Sequence, residues 1–358
     1  MRAKMASLGL TLSFLAVLFV SGCTSTTTGG TGVVVKEFAP EFTEIYATEP
    51  VTFRMLVKNE GSVEATSVHA ELLGLDEDWC SSQTGTQTCT PSSGTQRMEM
   101  QPNENACRYP GDGFKLLAPD AQRGTSGGSQ ICTWTYKAPP IPQGFTITYT
   151  PIVRTFYSYK SGVAKLITFG SSSELRTIQD SGGTLPTESV SSTSSPIKLD
   201  IVTKGPIRFW SDEQKVIFPL EITITNVGGG VACAYPDINK IPSQYTTDTA
   251  SNKGACKVLS GEEAKNKVDI DISFGSQIGK VNSGSMKLTG GCEDYNDGII
   301  TVPLWKGQSN SIVCDVEVQA SDLGSGATIQ RMITVQASYE YYTDTSSSIK
   351  VIGRKTAS

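Results

Sequence analysis

The chain has 358 residues, a net charge of −5 and a pI near 5.2, with 18% charged residues. No basic stripe runs along it, which excludes the electrostatic footprint of a nucleic-acid binder. Apolar residues recur at period two and seldom at helical spacing, so the composition and pattern predict an all-β protein with long turns.

Arg2 and Lys4 form a basic start, Met5 to Val20 is an almost unbroken apolar run, and Val20-Ser21-Gly22-Cys23 ends it. This is the layout of a secretory signal over residues 1–22, with a run shorter than the ~20 residues a membrane-spanning helix needs. The last four residues resemble the lipobox of prokaryotic lipoproteins. That resemblance implies cleavage before Cys23, lipid on its thiol, and a protein held on the extracellular face of the cell membrane. An uncleaved N-terminal anchor and a pilin-type leader are the competing readings, and all three place the residues beyond 23 outside the cytoplasm. Residues 23–32 are small, polar and rich in Thr and Gly, which predicts a flexible tether. They could also carry O-glycans.

The remaining residues, about 325, suit two domains of ordinary size. The first apolar alternation is Val51-x-Phe53-x-Met55-x-Val57-x-Asn59-x-Gly61, followed by Ala65. It returns as Phe218-x-Leu220-x-Ile222-x-Ile224-x-Asn226-x-Gly228, followed by Ala232. Such spacing puts all the apolar side chains on one face of a strand. The Asn-x-Gly is expected to end the strand because both residues tolerate left-handed backbone. A second set of matches lies at an offset of 182: Cys132-Thr-Trp134-Thr-Tyr136 with Cys314-Asp-Val316-Glu-Val318, then Val153 to Tyr159 with Val335 to Tyr341, then Ile167-x-Phe169 with Ile349-x-Val351. The halves are therefore copies of one domain, over 33–170 and 197–354, joined by a Ser/Thr/Gly-rich linker and hinge over 171–196.

The front block resembles the CARDB-like and related immunoglobulin-like domains of archaeal and bacterial surface proteins. There an alternating strand, Asn-x-Gly-x-x-x-Ala and a second strand succeed one another. Here these are Asn59, Gly61 and Ala65 with Val68-x-Ala70-x-Leu72, and again Asn226, Gly228 and Ala232. The resemblance implies two tandem immunoglobulin-like antiparallel β-sandwiches and, in the chain as a whole, a prokaryotic surface lipoprotein, archaeal before bacterial. The second copy departs from the pattern where Cys233 and Pro236 interrupt the next strand.

Apart from Cys23, four cysteines fall in each half: Cys80, Cys89, Cys107 and Cys132, then Cys233, Cys256, Cys292 and Cys314. Even numbers in an exported protein predict two disulfides per half. Four cysteines allow three pairings; neighbours along the chain are preferred, 80–89 with 107–132 and 233–256 with 292–314. These bridges staple long insertions over 80–130 and 235–291, each contributing about 3 kcal/mol in the loop-entropy picture.

Little in the chain carries chemistry. His69, the single histidine, is expected on the solvated face of its strand, and oxidised cysteines leave no thiolate nucleophile. Asp76, Glu77 and Asp78 read as an exposed loop. Glu293, Asp294 and Asp297 read as a turn and as a candidate calcium site through hard oxygens. Tyr157, Tyr159, Tyr339 and Tyr341 are expected in the core with their hydroxyls on backbone, and Trp134 beside the 107–132 bridge. Trp79 and Trp305, in or near loops, are the candidates for exposed binding contacts.

The expectation is a lipid-anchored, extracellular protein without cofactor or catalytic activity, with a structural, adhesive or partner-binding role toward a protein or glycan. The alternatives are a surface glycan or small-ligand binder, calcium-dependent or not, a filament or pilus-like subunit, and a hydrolase acting through carboxylates.

Overall fold

The computed structural model describes residues 32–76, 78–81, 114–210, 214–234, 256, 264–274, 286–290, 292, 300–323 and 328–354. In the first half the strands are β1 (Val33–Pro40), β2 (Glu44–Tyr46), β3 (Pro50–Asn59), β4 (Ala65–Leu73), β5 (Cys80–Ser81), β6 (Phe114–Leu116), β7 (Ser129–Lys137), β8 (Thr146–Tyr149) and β9 (Ile152–Ser171). Helix α1 (Ser172–Asp180) and β10 (Val190–Ser192) lead to the second half. This comprises β11 (Ile197–Val202), β12 (Ile207–Phe209), β13 (Lys215–Asn226), β14 (Val231–Cys233), β15 (Lys267–Phe274), β16 (Met286–Thr289), β17 (Ile300–Pro303) and β18 (Ser309–Gln319). A short helix α2 (Ala320–Leu323), then β19 (Thr328–Ser346) and β20 (Ile349–Ile352), complete it.

The fold is all-β, built as two tandem antiparallel sandwiches. Two outer sheets, ordered β1-β3-β7-β5 and β11-β13-β18-β16, mirror each other. The alternation read from the sequence is what buries them: Val51, Phe53, Met55 and Val57 of β3, and Phe218, Leu220, Ile222 and Ile224 of β13, all face inward. Burying each such side chain contributes about 1.5–3 kcal/mol.

Both sandwiches use one continuous inner sheet, ordered β17-β15-β19-β9-β4-β6. At its centre β9 and β19 pair antiparallel from Ile152 opposite Ser346 to Gly170 opposite Thr328. The same register continues through β8 and β20, where Tyr149 faces Ile349 and Thr146 faces Ile352. Tyr157 is paired with Tyr341, Tyr159 with Tyr339, and Ser158 with Glu340. Ser158 and Glu340 are also equivalent positions of the repeat, at the offset of 182. A local two-fold axis therefore passes through this pair.

The symmetry has a consequence for the core. The end of β9 lies beside β12, so Phe169 packs edge-on against Phe218 at 5.5 Å and Phe274 at 6.2 Å, both of the second half. Reciprocally, β20 lies between β2 and β8 of the first half, where Ile349 and Val351 are buried. Each half lends the end of its last strand to the other.

Three details differ from the sequence reading. Met55 and Ile222 are matched positions, yet Met55 faces Cys132 while Ile222 faces Ile312. The β7/β18 pair is thus two residues out of step with the 182 offset; a step of two keeps every side chain on its face, so the pattern hid it. Residues 171–196 are not an open hinge. The Ser171 hydroxyl caps α1 by accepting from Glu174 N–H at 3.3 Å, and β10 pairs with β9. Glu188 accepts from Thr168 N–H at 3.2 Å and lies 3.8 Å from Lys165, both on β9. Finally, Asn-x-Gly ends its strand without left-handed backbone at Asn59, Gly61, Asn226 or Gly228; side-chain hydrogen bonds from the two asparagines turn the chain instead.

Candidate interaction surface

Where each outer sheet meets the inner one, the Asn of the repeated Asn-x-Gly holds a corner together. Asn59 Oδ1 accepts from Gly61 N–H at 3.1 Å, while Nδ2 donates to Val63 O at 2.8 Å and Leu116 O at 2.9 Å. Asn226 repeats the set: Oδ1 accepts from Gly228 N–H at 3.2 Å, and Nδ2 donates to Gly230 O at 2.8 Å and Gly307 O at 3.0 Å. A carboxamide supplies donors and an acceptor in one group, which is why Asn stands at both corners.

The four tyrosines around the two-fold axis are buried, as expected, with neighbouring ring centroids 5.6–6.4 Å apart. Their hydroxyls close the same corners. Tyr159 accepts from Val63 N–H at 3.2 Å and Tyr341 from Gly230 N–H at 2.7 Å. Tyr341 also donates to Asn226 Oδ1 at 2.6 Å. Tyr339 shares a 2.6 Å hydrogen bond with Ser161 and accepts from Ile197 N–H at 3.3 Å. Burial pushes the Tyr341 hydroxyl up to about 12, and raises Tyr157 and Tyr339 as well. These groups are structural and stay neutral.

The second corner carries a rigid tip. Between β17 and β18 the chain turns at Trp305-Lys306-Gly307-Gln308, closed by Gln308 N–H on Trp305 O at 2.9 Å. Lys306 (φ 50°) and Gly307 (φ 73°) both occupy the left-handed region, as in the primed turns whose twist suits a hairpin. A side chain at Gly307 would also meet Asn266 Oδ1 at 2.6 Å. Trp305 N–H donates to Ser309 O at 2.8 Å, and Leu304 N–H to Asn266 O at 2.6 Å. With Asn226 gripping Gly307 O, the turn is fixed from within. The Trp305 side chain nevertheless stands 74% exposed.

Trp79, the other tryptophan expected at the surface, is fully buried. Its backbone N–H closes a turn on Asp76 O at 3.3 Å. The ring lies 6.2 Å from Phe53 and edge-on to Tyr149 at 5.1 Å. The acidic residues before it marked a loop, but the loop turns back into the core. Asp76 is exposed as expected; its carboxyl is raised by partial desolvation and by the nearby Asp78. Glu77 lies outside the described residues.

His69 is a further correction. It does face away from the sandwich core, yet it is buried. Its ring stacks on Phe156 with centroids 4.8 Å apart and planes 9° apart, and Nδ1 donates to Ser67 O at 2.9 Å. Phe156 in turn joins an apolar cluster with Cys233, Cys256 and Ala264 of the second half. At equivalent positions of the two copies, β4 has a bulge between Thr66 and His69, while β14 breaks off after Cys233 and pairing resumes in β15. Cys256 N–H donates to the buried Glu340 carboxylate, at the centre of the strand pair.

Disulfides join Cys233 to Cys256 and Cys292 to Cys314, the neighbour pairing preferred from the sequence. Cys132 is also disulfide-bonded. Cys23, Cys89, Cys107 and the side chain of Cys80 lie outside the described residues, as do Glu293, Asp294 and Asp297. Among the described residues there is no cluster of three metal-ligating side chains and no helix long and apolar enough to cross a membrane.

No protein-family model matches the sequence, and no curated protein does. Two solved structures are similar in extent. One is an Enterococcus faecalis MSCRAMM, ACE, described as binding its ligands by the collagen hug model; it is 7% identical over 89% of this chain and 95% of its own, with a TM-score of 0.15. The other is the CsuC–CsuE chaperone–tip adhesion subunit complex of Acinetobacter baumannii Csu pili. It is 11% identical over 81% and 92% of the two chains, with a TM-score of 0.13. Backbones with such scores do not superpose, so neither comparison fixes a fold or a function for this chain.

Proposed function

We propose that this chain is an exported surface protein, lipid-anchored through Cys23, whose fused sandwiches hold a binding tip in a fixed orientation for a protein or glycan partner. It acts by contact and not by catalysis. One observation carries this reading: a tryptophan exposed on a turn that the fold makes rigid. An ordered aromatic loses little entropy on binding, and such residues dominate interface energies. The test is recovery of partners from native envelopes by the 33–358 protein and by its Trp305→Ala variant. Loss of recovery with an unchanged melting temperature supports the reading. Equal recovery removes the tip from it, and hydrolysis of a glycan or peptide panel by the purified protein overturns the non-enzymatic role.

A further inference from the structure

We propose that the seam between the two halves also forms between molecules, so that copies of this chain assemble by trading halves. Such exchange is independent of the anchor and the binding tip and holds or fails without them.

The seam is complete in itself. It runs in one register from Thr146 opposite Ile352 to Gly170 opposite Thr328. Each side brings residues that the other side's core requires: Ile167 and Phe169 from the first half, Ile349 and Val351 from the second. A first half thus has an apolar slot, between β2 and β8, shaped for the end of a second half. Nothing in that slot distinguishes the second half of the same molecule from that of another. Every contact of the seam is kept on exchange, so the balance is set by concentration and by the connection between halves.

That connection is a single stretch of chain. Beyond α1, residues Ser181–Ser189 have no helix or strand and are almost entirely exposed. Opening there, with release of β10, the Lys165–Glu188 contact and the seam itself, frees one half from the other without breaking either outer sheet.

The two-fold axis also determines which halves meet. If two second halves paired with each other in this register, Glu340 would lie opposite Glu340, where it now faces Ser158. Directly opposed like charges destabilise a strand pair, and this carboxylate is buried. Exchange therefore preserves first-with-second pairing. Two molecules trading once give a closed dimer; a series in which each passes its second half onward gives an open chain.

The test uses the full chain. Ala164 and Thr334 lie directly opposite across the seam, a separation that suits a disulfide. Ala164→Cys is placed in one tagged copy and Thr334→Cys in another. The two are mixed, unfolded and refolded without reductant, then oxidised. A covalent dimer of the two tags is expected, its yield rising roughly in proportion to protein concentration, with no such dimer from Ala164→Cys alone. The variant carrying both cysteines in one copy reports folding by closing its own bridge. A third protein with a protease site between Gly182 and Gly183 is cut after folding, and its halves should co-elute. If the double variant closes fully but the mixed pair never crosslinks at any concentration, the proposal fails; separation of the cut halves would also end it.

Discussion

Ser158 lies directly opposite Glu340 in the central strand pair, and the two are the same position of the repeat. The duplication is therefore a structural two-fold as well as a repetition in sequence, with both halves meeting at one seam.

Ending the chain at Ser346 should destabilise the first half, although every residue removed belongs to the second copy. Ile349 and Val351 are fully buried beside Ile45 and Tyr149. Losing two such side chains costs several kcal/mol, at about 2–5 kcal/mol for each large truncation. Hydrogen exchange should accelerate in residues 44–46 and 146–149 before it does in β13 or β18. Unchanged protection of β2 and β8 would contradict the exchange of strand ends.

Asn226→Ala should loosen the Trp305 turn. It leaves Gly230 O, Gly307 O and Gly228 N–H without their Asn226 partner, a loss of about 2–3 kcal/mol. Fluorescence anisotropy with Trp305 as the reporter, in a Trp210→Phe background that keeps the buried Trp79 and Trp134, should show faster motion. Asn59→Ala should cost a similar amount and leave that signal alone.

The tyrosines set an alkaline limit. The Tyr341 hydroxyl is raised by burial from 10 to about 12 in the folded protein. Folding thus favours its protonated form. The sign comes from linkage: this contribution is present in full below pH 10 and is lost as pH climbs from about 10 to about 12. Tyr157 and Tyr339 are raised too and act in the same direction. The tyrosinate absorbance of these buried residues, read against Tyr→Phe variants at 157, 339 and 341, should therefore appear together with loss of the β-sheet signal. Ionisation of these tyrosines near pH 10 in a protein still folded would refute their buried, hydrogen-bonded placement.

Trp79 and Trp305 should behave oppositely. Trp79→Ala removes a ring packed on Phe53 and Tyr149 and should cost about 3–5 kcal/mol. Trp305→Ala should change stability by less than about 0.5 kcal/mol while reducing partner recovery. Urea denaturation of the two variants separates them.

Much of the architecture was legible in the sequence. Period two identified β3, β13, β9 and β19, the repeat identified the equivalent tyrosines, and the 233–256 and 292–314 bridges are the preferred one of the three pairings that four cysteines allow. What it could not show was who pairs with whom. Alternation defines the inward face of a strand but not its neighbour, so Tyr157 could be matched to Tyr339 without any sign that it lies against Tyr341. The Asn corners were seen for the wrong reason, since Asn59 and Asn226 act through their carboxamides. His69 was placed on the correct face, but it is buried under Phe156, which packs on Cys233, Cys256 and Ala264 of the other copy, a contact that local pattern does not reveal. Trp305 was found by position alone; the signal for its rigidity was the Lys306-Gly307 pair.

The exchanged strand ends also bear on when this protein folds. The slot between β2 and β8 is present in the nascent chain long before Ile349 and Val351 are made. At ordinary rates of synthesis, the roughly 200 residues from Tyr149 to Ile349 take about ten to forty seconds. During that interval the first half has no final strand and its apolar slot is open. Its folding is tied to residues translated long after it, so the two copies reach the native state together and not one at a time.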